Sequence, residues 1–385
     1  MSESLSGVEL VQLVQRVFQP REGESAMAIL TDLPDAEVPD RPQWRARREL
    51  AAAWTAELRR EREALGLEVE LFGYRNVRRN NADLPERAWA ATRTQLPESA
   101  EDLDTEMGLR LSDVFSAFPI LIAVTELSAT APLKLAAKTY GFRAATMPGF
   151  SPAMVPALRL DYTEIDRRVR LLKELLDEAR GARLVFAAGG ETYELTLDLR
   201  HRSAHASGGL LPEPGTAGNL PSGEAYIVPY EGEIEGDRTT TAGILPVELE
   251  GEVVLYRIEQ NRAVAIVTEG PVSRREAEHL ATEPAYGNLA ELGLGVLSEF
   301  GIEPTGEVLL DEKLGLHVAF GRSDHFGGQV GADDFSRPEA VVHQDRVYIR
   351  HLQPGVVVTL ADLQMEDGST VRLMRDGAYV LDFSK

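Results

Sequence analysis

The chain has seven histidines, and three of them, His317, His325 and His343, fall between positions 317 and 343. Acidic residues in the same region interrupt apolar or glycine-rich segments: Glu224 in NLPSGEAYIVP, Glu291 in NLAELGLGVL, Glu312 in LLDEKLGLHVAFG and Asp345 in AVVHQDRVYI. Side chains alternate faces along a strand, so His343 and Asp345 share a face with Val347 and Ile349. A carboxylate on an apolar face is costly unless it is paired or bound to a cation. Taken singly, each residue has an ordinary reading. A Glu beside a strand is usually a solvated edge, and a His on an apolar strand is usually a hydrogen-bonded core residue. The set carries more weight, because a charge at a core position is a packing error unless it has a function. Glu224, Glu291, Glu312 and Asp345 bring four negative charges, which two divalent cations would balance. His317 and His343 would complete the shell as neutral imidazoles. Without cations, clustered carboxylates repel and raise one another's pKa values. Two bridged metals form a common hydrolytic arrangement.

Composition narrows the alternatives. The 385 residues, 43% of them hydrophobic, suffice for two domains with full cores. No long apolar run exists to span a membrane. MSESLSGVELVQLVQRVF lacks a basic segment before an apolar core, so no signal peptide is expected there. With no cysteine, disulfides and thiolate metal sites are excluded, and a cytoplasmic setting is expected. A formal charge of −22 repels nucleic acid and anionic lipid, so neither is expected as a partner. The same acidity suits hard divalent cations on oxygen ligands.

These residues need elements to position them. Ser6 and Glu9 form a capping-box pattern ahead of Leu10, Val11, Val14, Val17 and Phe18 at helical spacing. Strand patterns at 26–32, 67–74, 113–126 and 143–149 alternate with helical ones at 42–65, 128–141 and from about 161, predicting a mostly parallel sheet covered by helices. No glycine-rich nucleotide fingerprint follows any of these strands. From about 183 the pattern shifts to hairpins and short strands, with a loop over 206–224 and helices over 272–281 and 285–299. The expected fold class is therefore α/β: a mostly parallel α/β domain over 1–205, then an α+β metal-binding domain over 206–385. The C-terminal stretch reads as edge hairpins without nameable chemistry.

GNLPSGEAYIVPYEG (218–232), LAELGLG (289–295), DEKLGLHVAFG (311–321) and HQD (343–345) also resemble, in order and spacing, the motifs of the thermophilic metallo-aminopeptidases of the aminopeptidase T and aminopeptidase S family. The likeness is specific over about 218–345 and general before it. It implies a homodimeric exopeptidase that removes N-terminal residues from small peptides with two divalent ions: zinc, cobalt, manganese or magnesium. It places metal ligands at Glu224, Glu291, Glu312, His317, His343 and Asp345, with Glu291 bridging. Glu231 in PYEG is a candidate proton shuttle. The family often has a tyrosine seven residues after the LHVAFG histidine; here Asp324 stands there, followed by His325, which could donate in its place. RSDHFGGQVGADDF would form a loop over the metals, mobile at Gly327-Gly328. His201 and His205 read as loop residues. The scaffold also resembles the 2,5-dihydroxypyridine dioxygenases, which use one iron on two histidines and a carboxylate, with a histidine where Glu291 stands here. A non-peptide metallohydrolase and a degenerate binding protein complete the alternatives.

Overall fold

The computed structural model describes residues 4–383. They form two compact units. The first runs through Ile165 and takes in Gly209–Ser222 and Thr305–Leu310. The second comprises Asp166–Gly208, Gly223–Pro304 and the chain from Asp311 onward. The division thus falls at 165/166 rather than 205/206, because the Ala179–Ala188 and Glu191–Asp198 hairpin pairs within the second unit's large antiparallel sheet. Gly209–Ser222 returns to the first unit because Ala217–Asn219 pairs in parallel with Arg143–Pro148.

In the first unit the capping box forms as the sequence predicts. Ser6 Oγ accepts from the Glu9 N–H at 3.3 Å and the Glu9 carboxylate accepts from the Ser6 N–H at 2.8 Å. This starts the helix Gly7–Phe18, whose Leu10, Val14, Val17 and Phe18 are buried. Strands Ala26–Leu33, Glu68–Arg75, Ile120–Thr125 and Arg143–Pro148 pair in parallel. All six residues of Ile120–Thr125 are buried, as a strand covered on both faces requires. Helices Pro42–Arg60 and Thr130–Tyr140 lie in the connections. One expectation is corrected: 113–126 is not one strand. Leu111–Ala117 is a helix, and it ends where Phe118 takes extended backbone (φ −117°, ψ 101°) ahead of Pro119. Proline disfavours the helical region in the residue before it.

The second unit is antiparallel among the described residues. One sheet has eight strands, running from Arg262–Ile266 at one edge to Ala378–Tyr379 at the other. The other has five, in the order His343–Val347, Leu316–Gly321, Leu289–Gly295, Glu224–Ile227, His205–Ser207. Two expectations are corrected here. The 206–224 region is not all loop, since it contributes Ala217–Asn219 and ends in the strand from Glu224. Residues 285–299 are not a helix: Leu289–Gly295 is a fully buried strand. Gly293 and Gly295 each cost a helix about 1 kcal/mol, and AELGLG (290–295) alternates with the strand period. The expected helix at 272–281 forms as Pro271–Thr282. Among the described residues no helix is long and apolar enough to cross a membrane.

The parallel sheet carries one buried carboxylate with a structural duty. Asp32, 1% exposed, accepts from Trp44 Nε1 at 2.9 Å, the Glu126 N–H at 2.8 Å and the Leu127 N–H at 2.9 Å. An unpaired buried donor costs about 1–3 kcal/mol. Asp32→Ala is therefore expected to lower unfolding free energy by about 3 kcal/mol or more in urea titration, and Asp32→Asn, which keeps one acceptor, by less. A loss within about 0.5 kcal/mol for the alanine variant, the range of an ordinary surface substitution, would contradict this role.

Candidate metal centre

The five-stranded sheet has one face of large apolar residues and one of small and ionisable residues. In LAELGLG, alternate positions place Ala290, Leu292 and Leu294 on one side and Glu291, Gly293 and Gly295 on the other. In LHVAFG, Leu316, Val318 and Phe320 oppose His317, Ala319 and Gly321. The register stacks these into rows. Tyr226, Gly293, His317 and Val347 form one row; Glu291, Ala319 and Asp345 form the next; Gly321 and His343 form a third. Each ionisable residue thus sits beside a glycine or alanine, which leaves room above the sheet for its side chain.

Gly293 shows how strict this is. A Cβ built there would run into the His317 imidazole at Nε2 and Cε1. The ring lies over the bare backbone, and that placement aims Nε2 at Glu291.

Glu291 is the hub. Its Oε1 lies 3.2 Å from His317 Nε2 and its Oε2 lies 3.3 Å from His343 Nε2. Asp345 Oδ1 lies 3.5 Å from His343 Nε2 and 3.9 Å from His317 Nε2. Glu224 Oε2 lies 3.7 Å from His317 Nε2. His317, Glu291 and Glu224 are 1%, 4% and 6% exposed, so these charges are withdrawn from water. Two overlapping sets of donor atoms result, Glu224–Glu291–His317 and Glu291–His343–Asp345, each within 4.8 Å, and Glu291 belongs to both.

The far nitrogens decide what the near ones can do. His317 Nδ1 lies 3.2 Å from the Gly315 carbonyl, and His343 Nδ1 lies 2.8 Å from the Arg322 carbonyl. A carbonyl only accepts, so each Nδ1 carries a proton. Each Nε2 then presents a lone pair that can take a second proton or a cation, the orientation typical of metal-binding imidazoles. Protonated, the imidazoles pair with the carboxylates. Burial opposes the charge on His317, but Glu291, Asp345 and Glu224 outweigh it and raise its pKa to about 9. His343 is likewise raised, burial being outweighed by Asp345 and Glu291. Burial would raise Glu291, but His317 and His343 bring it down to about 2.

One atom is left over. Glu224 Oε2 is buried with no hydrogen-bond partner. A carboxylate oxygen in that state is expensive, and a cation between it, Glu291 and His317 would satisfy it. The residues therefore fit a divalent metal ion.

Not every residue singled out in the sequence joins the cluster. Glu312 lies in the turn Glu312–Leu314, outside both donor sets, where its carboxylate pairs with Lys313. Burial, then Glu224 and Asp345, push its pKa up to about 8 against the pull of Lys313. His325 packs its ring 5.4 Å from that of His343, and burial followed by His343 lowers its pKa to about 4. Glu231 has no contact with the cluster. Its carboxylate accepts from Ser323 Oγ at 2.6 Å, Asn288 Nδ2 at 2.8 Å and the Gln329 N–H, and lies 3.5 Å from Arg202. It anchors the 322–330 loop. Gly328 in that loop is required by the close approach of Ser323, which a Cβ would overlap. Asp324 pairs with Arg322 at 2.6 Å. His201 pairs with Asp237 at 2.9 Å, and His205 stacks on Tyr226 at 5.1 Å.

Sequence reasoning missed three features. Tyr226 and Phe326, 4.8 Å apart, continue an aromatic wall from His343, which Phe326 meets at 5.4 Å. The period-2 spacing of Tyr226 from Glu224 was the available signal. The Gly315 and Arg322 carbonyls, being backbone, had none. Lys313, 1% exposed, donates to Glu224 Oε1 at 2.5 Å; in DEKL it reads as an ordinary surface lysine.

No protein-family model matches the chain, and no curated protein sequence does. Solved structures do. A 2,5-dihydroxypyridine dioxygenase from Pseudomonas putida superposes with a TM-score of 0.62 at 14% identity, covering 99% of this chain and 100% of that one. Wild-type AmpT from Thermus thermophilus superposes with a TM-score of 0.54 at 17% identity, covering 97% and 99%. At these identities the likeness is one of fold, an α/β fold with an antiparallel part, and it extends along nearly the whole chain.

Gly293→Ala tests the site geometry without touching a donor atom. Displacing an orienting partner typically costs 10–100-fold in metal affinity. A fall of that size in zinc affinity is expected by calorimetric titration, with circular dichroism unchanged. Wild-type affinity in this variant would show that His317 does not depend on the bare backbone at 293.

Proposed function

We propose that the chain is a metal-dependent hydrolase of aminopeptidase type, acting on small peptides in the cytoplasm as a homodimer. The observation that carries this reading is Glu291: a buried carboxylate, shared by two donor sets, with an imidazole nitrogen on each oxygen. A set with this many carboxylates suits hard divalent cations. When bound, such a cation supplies Lewis acidity and brings the pKa of water toward neutrality.

The chain's own groups would divide the remaining tasks. Glu291 holds both imidazoles in register. Glu312, outside both donor sets and paired with Lys313, would in its ionised form take the proton of the attacking water and return it to the leaving amine. His325, held neutral, offers one N–H to developing negative charge. The wall of His205, Tyr226 and Phe326 gives an apolar side chain a surface to lie against. Glu231, committed to the 322–330 loop, is not asked to move protons.

A second reading has an observation of its own. His317, His343 and Asp345 make two imidazoles and one carboxylate, with Nε2-to-Oδ1 distances of 3.5 and 3.9 Å. That composition also suits a mononuclear iron oxygenase. The two readings part at Glu291, whose carboxylate the hydrolase needs and the iron triad does not.

The test is a paired assay. The protein loaded with cobalt, zinc or manganese is expected to cleave an aminoacyl-anilide, and Glu291→Gln to slow it by about 1,000-fold or more, each tenfold step being about 1.4 kcal/mol of barrier. Circular dichroism should stay near wild type. Loaded with ferrous iron, the wild type should consume no oxygen with a dihydroxypyridine. Oxygen uptake with ring opening, together with no cleavage of any aminoacyl substrate, would overturn the hydrolase reading.

A further inference from the structure

Lys313 is a buried ammonium that touches two of the candidate ligands, Glu224 and Glu312. Its ammonium is 1% exposed and lies between two carboxylates, Glu224 Oε1 at 2.5 Å and Glu312 Oε1. A buried ammonium is costly unless it is paired and hydrogen-bonded, so these contacts hold it in place. The backbone holds it too. Lys313 sits in the turn Glu312–Leu314, packed so closely on Gly295 that a Cβ at 295 would overlap its carbonyl carbon and oxygen. The Gly295 N–H donates to the Gly315 carbonyl at 3.0 Å, tying the turn to the sheet. The ammonium can leave the site only by rotating its side chain.

Its contacts are not shared evenly. Glu224 belongs to the Glu224–Glu291–His317 donor set, and one of its oxygens is spent on Lys313 while the other, 3.7 Å from His317 Nε2, has no hydrogen-bond partner. Glu291, His343 and Asp345 make no hydrogen bond or ion pair with Lys313. A cation in the first set would meet a fixed like charge one carboxylate away. A cation in the second would share no directly bonded ligand with it.

We infer that Lys313 makes the two cation positions unequal, so that the Glu291–His343–Asp345 position binds a divalent ion tightly and the Glu224–Glu291–His317 position binds a second one weakly. This rests on the metal-centre reading above and adds an order of filling to it. Lys313 is a positioning residue: it holds Glu224 and Glu312, and it sets occupancy through charge.

The experiment is calorimetric titration of chelator-stripped full-length protein with manganese, followed by thermal melts at each stoichiometry. Wild type is expected to show two events separated by at least 100-fold in Kd, or a single event where the second is too weak to register. Lys313→Met is expected to tighten the weak event at least tenfold while moving the strong one less than threefold. It should also show the larger metal-induced rise in Tm, since ligand binding to the folded state stabilises in proportion to the logarithm of affinity. Lys313→Arg keeps the charge and should keep the wild-type separation. If the methionine variant does not fold, Lys313→Gln, which keeps a donor for Glu224, takes its place. Two events of equal affinity in the wild type would overturn the inference while leaving the metal centre standing. So would a weak event that neutral variants leave unchanged. Absence of any manganese or zinc binding by the wild type would overturn the metal centre, and the order of filling with it.

Discussion

Two imidazoles, His317 buried and His343 partly buried, each with its Nδ1 tied to a backbone carbonyl, are the constraint on which the site depends. The carbonyls of Gly315 and Arg322 fix the protons on the far side of His317 and His343. Each near nitrogen then faces Glu291 and can carry a proton or a cation, either of which relieves the opposition of its lone pair and the carboxylate. The first state is an imidazolium among carboxylates, visible in the raised pKa values of both rings. The second is a metal centre. Metal and protons therefore compete for the same lone pairs, and binding of one releases the other.

The fold delivers this arrangement by leaving side chains out. The ligand-bearing face of the five-stranded sheet is lined at alternate positions by Gly293, Gly295, Ala319 and Gly321, while the opposite face carries Leu292, Leu294, Val318 and Phe320. The apolar face stabilises the sheet, and the bare face gives imidazoles and carboxylates the space to converge. Because the strand period is two, a register slip of one residue would exchange the faces and bury leucines where the ligands now meet. Core packing and ligand geometry are thus enforced by the same alternation.

Much of this was legible beforehand. His343 and Asp345 share a face because H-x-D on a strand leaves no other option, and the interruption of apolar runs by Glu224, Glu291 and His317 marked the remaining donors. The parallel sheet of the first unit followed from alternating strand and helix patterns. What escaped has physical reasons. Residues 285–299 mix helical and strand spacing, and only Gly293 and Gly295 tip the balance; both are glycines for reasons of packing against His317 and Lys313, which neighbours in sequence cannot reveal. The helix Leu111–Ala117 was merged into the following strand because Pro119, the cue that separates them, lies within an apolar run. What Glu231, the candidate proton shuttle, and Glu312, the candidate ligand, pair with could not be read from residue type alone. Their partners, Ser323 and Asn288 for one and Lys313 for the other, are set by tertiary structure. The unit boundary was displaced because a hairpin at 179–198 pairs with a strand more than 150 residues later, at 356–365.

The most direct test of the metal centre is to locate the ion. Crystals of the zinc-loaded protein, measured at the zinc absorption edge, should give an anomalous difference peak between Glu291, His317, His343 and Asp345, within about 2.0–2.2 Å of nitrogen and oxygen donors. Zinc found only on surface carboxylates, with both imidazoles still in direct contact with Glu291, would contradict the account.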